Sequence, residues 1–365
     1  MATGLEKILG CLAASQVGSA MGAAVEGWSW QKIRDTHGRL EELLPYQHYG
    51  NGWDRPPGTT EDGIERQRVL LRAIRRVGGR PTADDVGAVW REEVDADKAD
   101  WCMEPFDRRL IRLAQARLSG PELGQFNPFT NLVSLARSCH PLGLVSAGDP
   151  PGAVANVQDV GRAFQRPQGD GLAWAGVVAG GIAAAMEREA TVESVLEAAR
   201  AAAPGRLHKE MDRGLAVAEG AEGLDDAIAM REAFDAIYSG RGTPYAFSYA
   251  GEVVSKALAV VRAARGRPRE AIVAAVNFGR DTDCLAAVAG GLAGAIAGHK
   301  PIPPAWLGQV DAATEVNPYT NLKLTLEAQA HIVWEALESE HERARARQTT
   351  LARVLEGQGD THGPL

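Results

Sequence analysis

Two short acidic runs carry the residues best suited to chemistry. The first is Gly58-Thr59-Thr60-Glu61-Asp62-Gly63, followed by an apolar-periodic stretch from Ile64. The second is Asn277-Phe278-Gly279-Arg280-Asp281-Thr282-Asp283-Cys284, which runs into an Ala/Gly-rich segment. Each sets two carboxylates at a loop-to-helix junction, where a carboxylate can cap free N–H groups and complement the helix dipole. Neither flanking helix reads as exposed. Four carboxylates gathered beside buried helices repel unless a cation neutralises them. Hard oxygen ligands of this kind suit Mg²⁺, Mn²⁺ or Ca²⁺ and not zinc.

The elements that must hold these junctions are helical. Leu5, Ile8, Leu9, Leu12 and Ala13 recur at i, i+3, i+4, i+7 and i+8, one apolar face of an amphipathic helix. Val69, Leu70, Ala73 and Ile74 repeat the pattern, as do Val192, Val195, Leu196 and Ala199 behind Thr191. β-Branched runs with period-two alternation are almost absent, which predicts an all-α chain. Ala173 to Met186 and Leu285 to Ala297 are built from small residues. Each Gly costs a helix roughly 1 kcal/mol relative to Ala, so both are expected in crowded central positions. No loop is long enough to be a linker. The reading is a single all-α domain over residues 1–340, then a charged helix and tail over 341–365.

Composition bounds the function. The 365 residues are 45% hydrophobic with a formal charge of −8, ample for a core and adverse to a nucleic-acid backbone. The four cysteines, Cys11, Cys102, Cys139 and Cys284, never reach a C-x-x-C spacing. Neither a disulfide framework nor a zinc knuckle is expected, and the cytoplasm is the default compartment. The first residues lack a basic targeting region. Leu285 to Gly298 is too short and too rich in Ala and Gly to span a bilayer, which needs about 20 apolar residues.

Three motifs in order resemble the ADP-ribosylglycohydrolase family. Asn277 to Asp283 resembles its D-x-D signature, followed by the Ala/Gly helix and a Pro-Trp segment like Ile302-Pro303-Pro304-Ala305-Trp306. Thr60-Glu61-Asp62-Gly63 matches its T-D-D-T block, and Gly18 to Glu26 matches its G-D-A-x-G-x-x-x-E block. The resemblance covers roughly Leu5 to Trp334. It implies an orthogonal helical bundle with a metal-lined cleft holding two Mg²⁺ ions, for which Mn²⁺ can substitute. By position the metal ligands would be Thr60, Glu61, Asp62, Asp281, Asp283 and Cys284. Glu26 would stand near the scissile bond, and the catalytic set would be Glu26, Asp62 and Asp281. The implied activity is hydrolysis of an ADP-ribosyl N- or O-glycosidic bond on a small molecule or an ADP-ribosylated substrate.

Elementary chemistry agrees with that set. Breaking a ribosyl C1–N or C1–O bond develops oxocarbenium character, which carboxylates stabilise. Metals can orient ribose hydroxyls, and Asp62 or Asp281 could take a proton from water. The departures from the family pattern are Ser19 for Asp, Glu61 for Asp, Gly63 for Thr and Cys284 for Thr. A thiol is a poor partner for Mg²⁺, which weakens one metal position. The central G-N-G-x-x-M-R region has only an echo in Asn131, Arg137 and Gly143, with Asn131 and Gly143 as substrate-binding candidates. Two alternatives stay open: hydrolysis of a ribosylated small molecule or nucleoside-like intermediate, and a catalytically silent nucleotide-binding or structural relative.

Other residues are weaker candidates. Trp28, Trp30 and Trp53 lie near the motifs, and Trp28 could stack on a base. Cys139 and His140 are adjacent, so their side chains diverge on a helix and do not form a dyad. Asn127-Pro128-Phe129-Thr130-Asn131 nearly recurs as Asn317-Pro318-Tyr319-Thr320-Asn321, which predicts two similar turns or two loops lining one cleft. Tyr245, Phe247 and Tyr249 read as a packed loop, and His331 and His341 as solvated.

Overall fold

The computed structural model describes residues 2–48, 50–238 and 248–356. Eighteen α-helices and one 3₁₀ turn, with no strand among the described residues, make an all-α fold. One hydrophobic core runs from Ile8 to Ala336. Tyr245 and Phe247 lie outside the described residues.

Local signals account for many helix ends. Thr3 caps the first helix, Gly4–Ala23, in a capping box with Glu6, satisfying two otherwise free N–H groups. Thr82 and Thr191 do the same for Ala83–Glu92 and Val192–Ala202. Asn127 and Asn317 each accept from the backbone N–H two residues on, at 2.9 Å. The repeated pentapeptide is therefore a repeated Asn turn. Its two copies part company beyond that turn: Phe129 faces a large cleft, whereas Tyr319 packs against Trp53 and Trp101.

The small-residue helices are central. The first helix runs antiparallel to Thr282–Ala297 with almost no side chain between them. A Cβ on Gly18 would lie 2.3 Å from the Ala286 carbonyl oxygen, and one on Gly294 2.1 Å from that of Gly10. One on Gly22 would lie 2.4 Å from the Asp283 nitrogen. Close backbone approach thus offsets the poor helix propensity of Gly. It also fixes where the chemistry sits, because the end of the first helix meets the start of the Asp283 helix. Gly171–Ala185 is also central, but its glycines Gly180 and Gly181 meet the side chains of Ala202 and Leu292.

The last helix is a single element, Leu326–Glu356, so residue 340 falls inside a helix and not at a break. What changes there is burial. Ala330, Val333 and Ala336 join the core, whereas every described side chain from His341 to Leu355 is exposed. No helix among the described residues is long and apolar enough to cross a membrane.

Candidate active site

The Asp62 helix, Asp62–Val77, opens with Glu61 at its N-cap and Asp62 at its first position. Ser19, reaching from the first helix, accepts from the Glu61 backbone N–H at 3.3 Å. The Tyr46 hydroxyl donates to the Glu61 carboxylate, and His48 lies 3.6 Å from its other oxygen. Burial, and then the Glu61 charge, push the Tyr46 pKa well up, so its phenol stays a donor. Thr60 is buried one position earlier.

The Asp283 junction is positioned as tightly. Asn277 pins the preceding loop by bonding both backbone groups of Leu40, at 3.0 and 2.9 Å. Gly279 adopts φ +73° with its α-carbon against the Trp30 nitrogen, where no side chain fits. Arg280 also has positive φ, and its side chain is held by the buried Glu252 at 2.7 and 2.9 Å. Thr282 donates from its hydroxyl to the Gly22 carbonyl at 2.8 Å. Asp281, Asp283 and Cys284 are therefore delivered beside Glu26 on a rigid frame.

Arg137 joins the two junctions. Its guanidinium pairs with Asp62 and with Asp283, and donates to the Cys284 sulfur at 2.9 Å. Asp62 is also paired with Arg66 at 2.5 Å, and Arg66 in turn with the buried Asp107. The situation at the second junction is the reverse. Both oxygens of Asp281 and Oδ1 of Asp283 are buried with no hydrogen-bond partner among the described residues. Burial and the neighbouring Asp283 charge raise the Asp281 pKa well above the carboxylate range. Burial, then Asp283, Asp281 and Glu61, push Glu26 up to about 10. Buried carboxylate oxygens without donors are costly, and a hard divalent cation is a group that could satisfy them. Ligand atoms of Asp281, Asp283 and Cys284 lie within 4.8 Å of one another. The thiol is the mismatch, since it is soft and already engaged by Arg137.

A cleft of about 650 Å³ reaches Glu26, Glu61, Asp62, Arg137 and Cys284, walled by Phe106, Phe126, Phe129 and Leu132 and edged by Glu104 and Arg109. A second cleft of about 660 Å³ shares Glu26, His48 and Glu104 with it and carries Trp28 on its wall. Trp28 there stacks on His37, with the Lys32 ammonium over its ring.

The structure thus brings together Glu26, Glu61, Asp62, Asp281, Asp283 and Cys284, with Trp28 across Glu26 from the main cleft. Asn131 and Gly143 lie elsewhere. The Asn131 side chain accepts from the Asp170 N–H at 2.8 Å and holds the start of a helix. Gly143 faces Ile182, where a Cβ would come within 2.7 Å of its neighbour. Both are structural positions, not cleft walls. Asp62 also differs from the expected proton acceptor, because guanidinium donors occupy both its oxygens. Cys139 and His140 diverge: the thiol faces the Ala136 and Ala175 carbonyls, and the imidazole faces Gln67 and Ala287. Sequence reading passed over Tyr46, Glu104 and Arg66. Only Arg66 left a local signal there, four residues after Asp62 on a helix.

Comparison with known proteins places this geometry. The uncharacterized protein YegU of Escherichia coli (strain K12) is 27% identical over 331 residues, covering 86% of this chain and 94% of that protein. A solved structure titled as an ADP-ribosylglycohydrolase-related protein complex matches with a TM-score of 0.63 at 22% identity. It covers 92% of this chain and 99% of the other, which shows a shared fold. The family model described as ADP-ribosylglycohydrolase matches residues 1–343, and the chain belongs to the ADP-ribosylglycohydrolase family.

Proposed function

We propose that this protein hydrolyses a ribosyl N- or O-glycosidic bond in an ADP-ribosyl-type substrate, using Mg²⁺ or Mn²⁺. The observation that carries the reading is the set of buried, partnerless Asp281 and Asp283 oxygens beside Cys284 and Glu26, two residues that line an aromatic-walled cleft. A divalent cation held by Asp281 and Asp283 would supply positive charge for the ribose hydroxyls.

The chain's own groups account for the rest. Glu26 borders both clefts, so the scissile bond lies at their junction. The C1–N or C1–O electron pair leaves with the departing group, which takes a proton from the Glu26 carboxyl, whose pKa burial raises. Water adds to C1, and its proton passes to the Asp281 carboxylate, since Asp62 is taken up by Arg66 and Arg137. The Phe walls offer π-faces to a base. Arg109, lying over Phe126, offers a guanidinium to a diphosphate.

The test is a mass-spectrometric product screen over ADP-ribosyl-arginine, ADP-ribosyl-serine, other ADP-ribose conjugates and simple nucleosides. Free ADP-ribose supports the reading. Ribose or ribose phosphate released from a small molecule moves the substrate to a nucleoside-like compound. No cleavage of any substrate leaves a silent relative.

A further inference from the structure

We infer that the Arg137 guanidinium serves as a built-in second cation, so that the carboxylate cluster takes one divalent ion and not two. This rests on the metal-binding part of the reading above. Asp62 has no oxygen to spare: Oδ1 pairs with Arg137 and Oδ2 with Arg66 at 2.5 Å. Arg66 is itself anchored by Asp107. The space between Asp62 and Asp283, where an ion bridging the two junctions would sit, is filled by the guanidinium of the buried Arg137.

The backbone is cut to admit that side chain. Gly63 has no Cβ, and one built there would lie 2.5 Å from Arg137 Nε and 2.9 Å from its Cδ and Cζ. The Arg137 main chain is fixed from both sides, its N–H to the Val133 carbonyl at 3.1 Å and its carbonyl to the Gln67 amide at 3.2 Å. Cys284 completes the seat by accepting from Arg137. A guanidinium is always charged and gives directional donors, but it has no coordination position for a ligand oxygen. It therefore screens Asp62 from Asp283 and leaves the remaining oxygens of the second junction unpaired on its opposite side. On that side stand the three partnerless oxygens of Asp281 and Asp283, enough for one ion.

The experiment counts ions on the full chain, by Mn²⁺ titration followed by electron paramagnetic resonance and calorimetry. Wild type is expected to saturate at one Mn²⁺ per chain. Arg137→Ala frees Oδ1 of Asp62 and should admit a second, weaker ion. Gly63→Thr should do the same by driving the guanidinium from its seat, and covers the case in which Arg137→Ala does not fold. Two ions in wild type, or none, overturn the inference, as do variants that stay at one. Activity is scored separately. One bound ion with no ribosyl bond cleaved in the product screen sinks the hydrolase reading and leaves the ion count standing; two ions with cleavage do the opposite.

Discussion

The two junctions look alike along the chain and differ in space. Each puts acidic residues at the start of a buried helix, at Glu61–Asp62 and Asp281–Asp283. At the first, Asp62 is neutralised by Arg66 and Arg137, and Glu61 is held by Tyr46. At the second, Asp283 has one oxygen paired and Asp281 none. Helix dipoles serve both ends equally, so the asymmetry comes from the side chains that reach across. The first junction is an internal ion-pair network, and the second keeps carboxylate oxygens that no described side chain pairs. That division puts metal-dependent effects on Asp281 and Asp283 and mainly structural ones on Asp62.

The largest expected effect follows from that division. Asp283→Asn should weaken Mn²⁺ binding by at least about a hundredfold, more than the loss of an outer-shell partner typically costs. It should also abolish the metal-dependent rise in melting temperature. In wild type that rise should reflect roughly 2.7 kcal/mol at a hundredfold excess of metal over Kd. Thermal melts in EDTA and in Mn²⁺ check both, and an unchanged Mn²⁺ response in the variant breaks the comparison.

Backbone packing gives the next effect. Gly22→Ala places a methyl group 2.4 Å from the Asp283 nitrogen, against main chain that cannot rotate away. Overpacking of this kind costs about 1–3 kcal/mol, read as a lower urea midpoint, and it should also weaken Mn²⁺ binding. Gly63→Ala meets only the Arg137 side chain, so its loss should be smaller. Equal losses would mean that the second junction is no more rigidly seated than the first.

His140 ties the two junction helices together, facing Gln67 of one and the Ala287 carbonyl of the other at 3.1 Å each. Burial pulls its pKa down to about 4. The unfolded chain binds that proton more readily, so the neutral ring contributes stability above pH 6.5. That contribution is lost as pH falls through about 4. The size is up to about 3 kcal/mol. Denaturant melts from pH 7 to pH 4 should show this slope flattened in His140→Gln, and an unchanged slope would assign it to the carboxylates.

The smallest effect is a gain. Asp281→Asn removes a buried, partnerless carboxyl that folding without metal must protonate, because burial and Asp283 raise its pKa, and its amide can donate to Asp283. In EDTA at neutral pH the variant should be more stable than wild type by about 1 kcal/mol. Asp62→Asn, which strips a partner from two buried arginines, should lose stability under the same conditions.

The all-α class, both acidic junctions, the Asn turns and the central place of the Ala/Gly helices were legible because each is a local pattern. Helical period, capping chemistry and small-residue runs need no knowledge of the rest of the chain. Family membership was legible for a related reason, since three short motifs kept their order. Asn131 and Gly143 were named from an echo of a binding motif, which has the same residue types as the helix start that Asn131 holds and the packing contact that Gly143 makes. Arg137 stood in that same echo, and nothing near it in sequence pointed to carboxylates 146 positions away in one case.

By itself, then, the sequence determined which helices form, where they begin and which carboxylates stand at their starts. Tertiary structure alone decided which of those carboxylates keep free oxygens. Helix formation and capping are settled by bonds between residues a few positions apart, whereas Coulomb interaction depends only on distance in space. Gly63 and Gly22 act on that distance without carrying any charge: one admits a guanidinium to Asp62, the other brings Asp283 against the first helix.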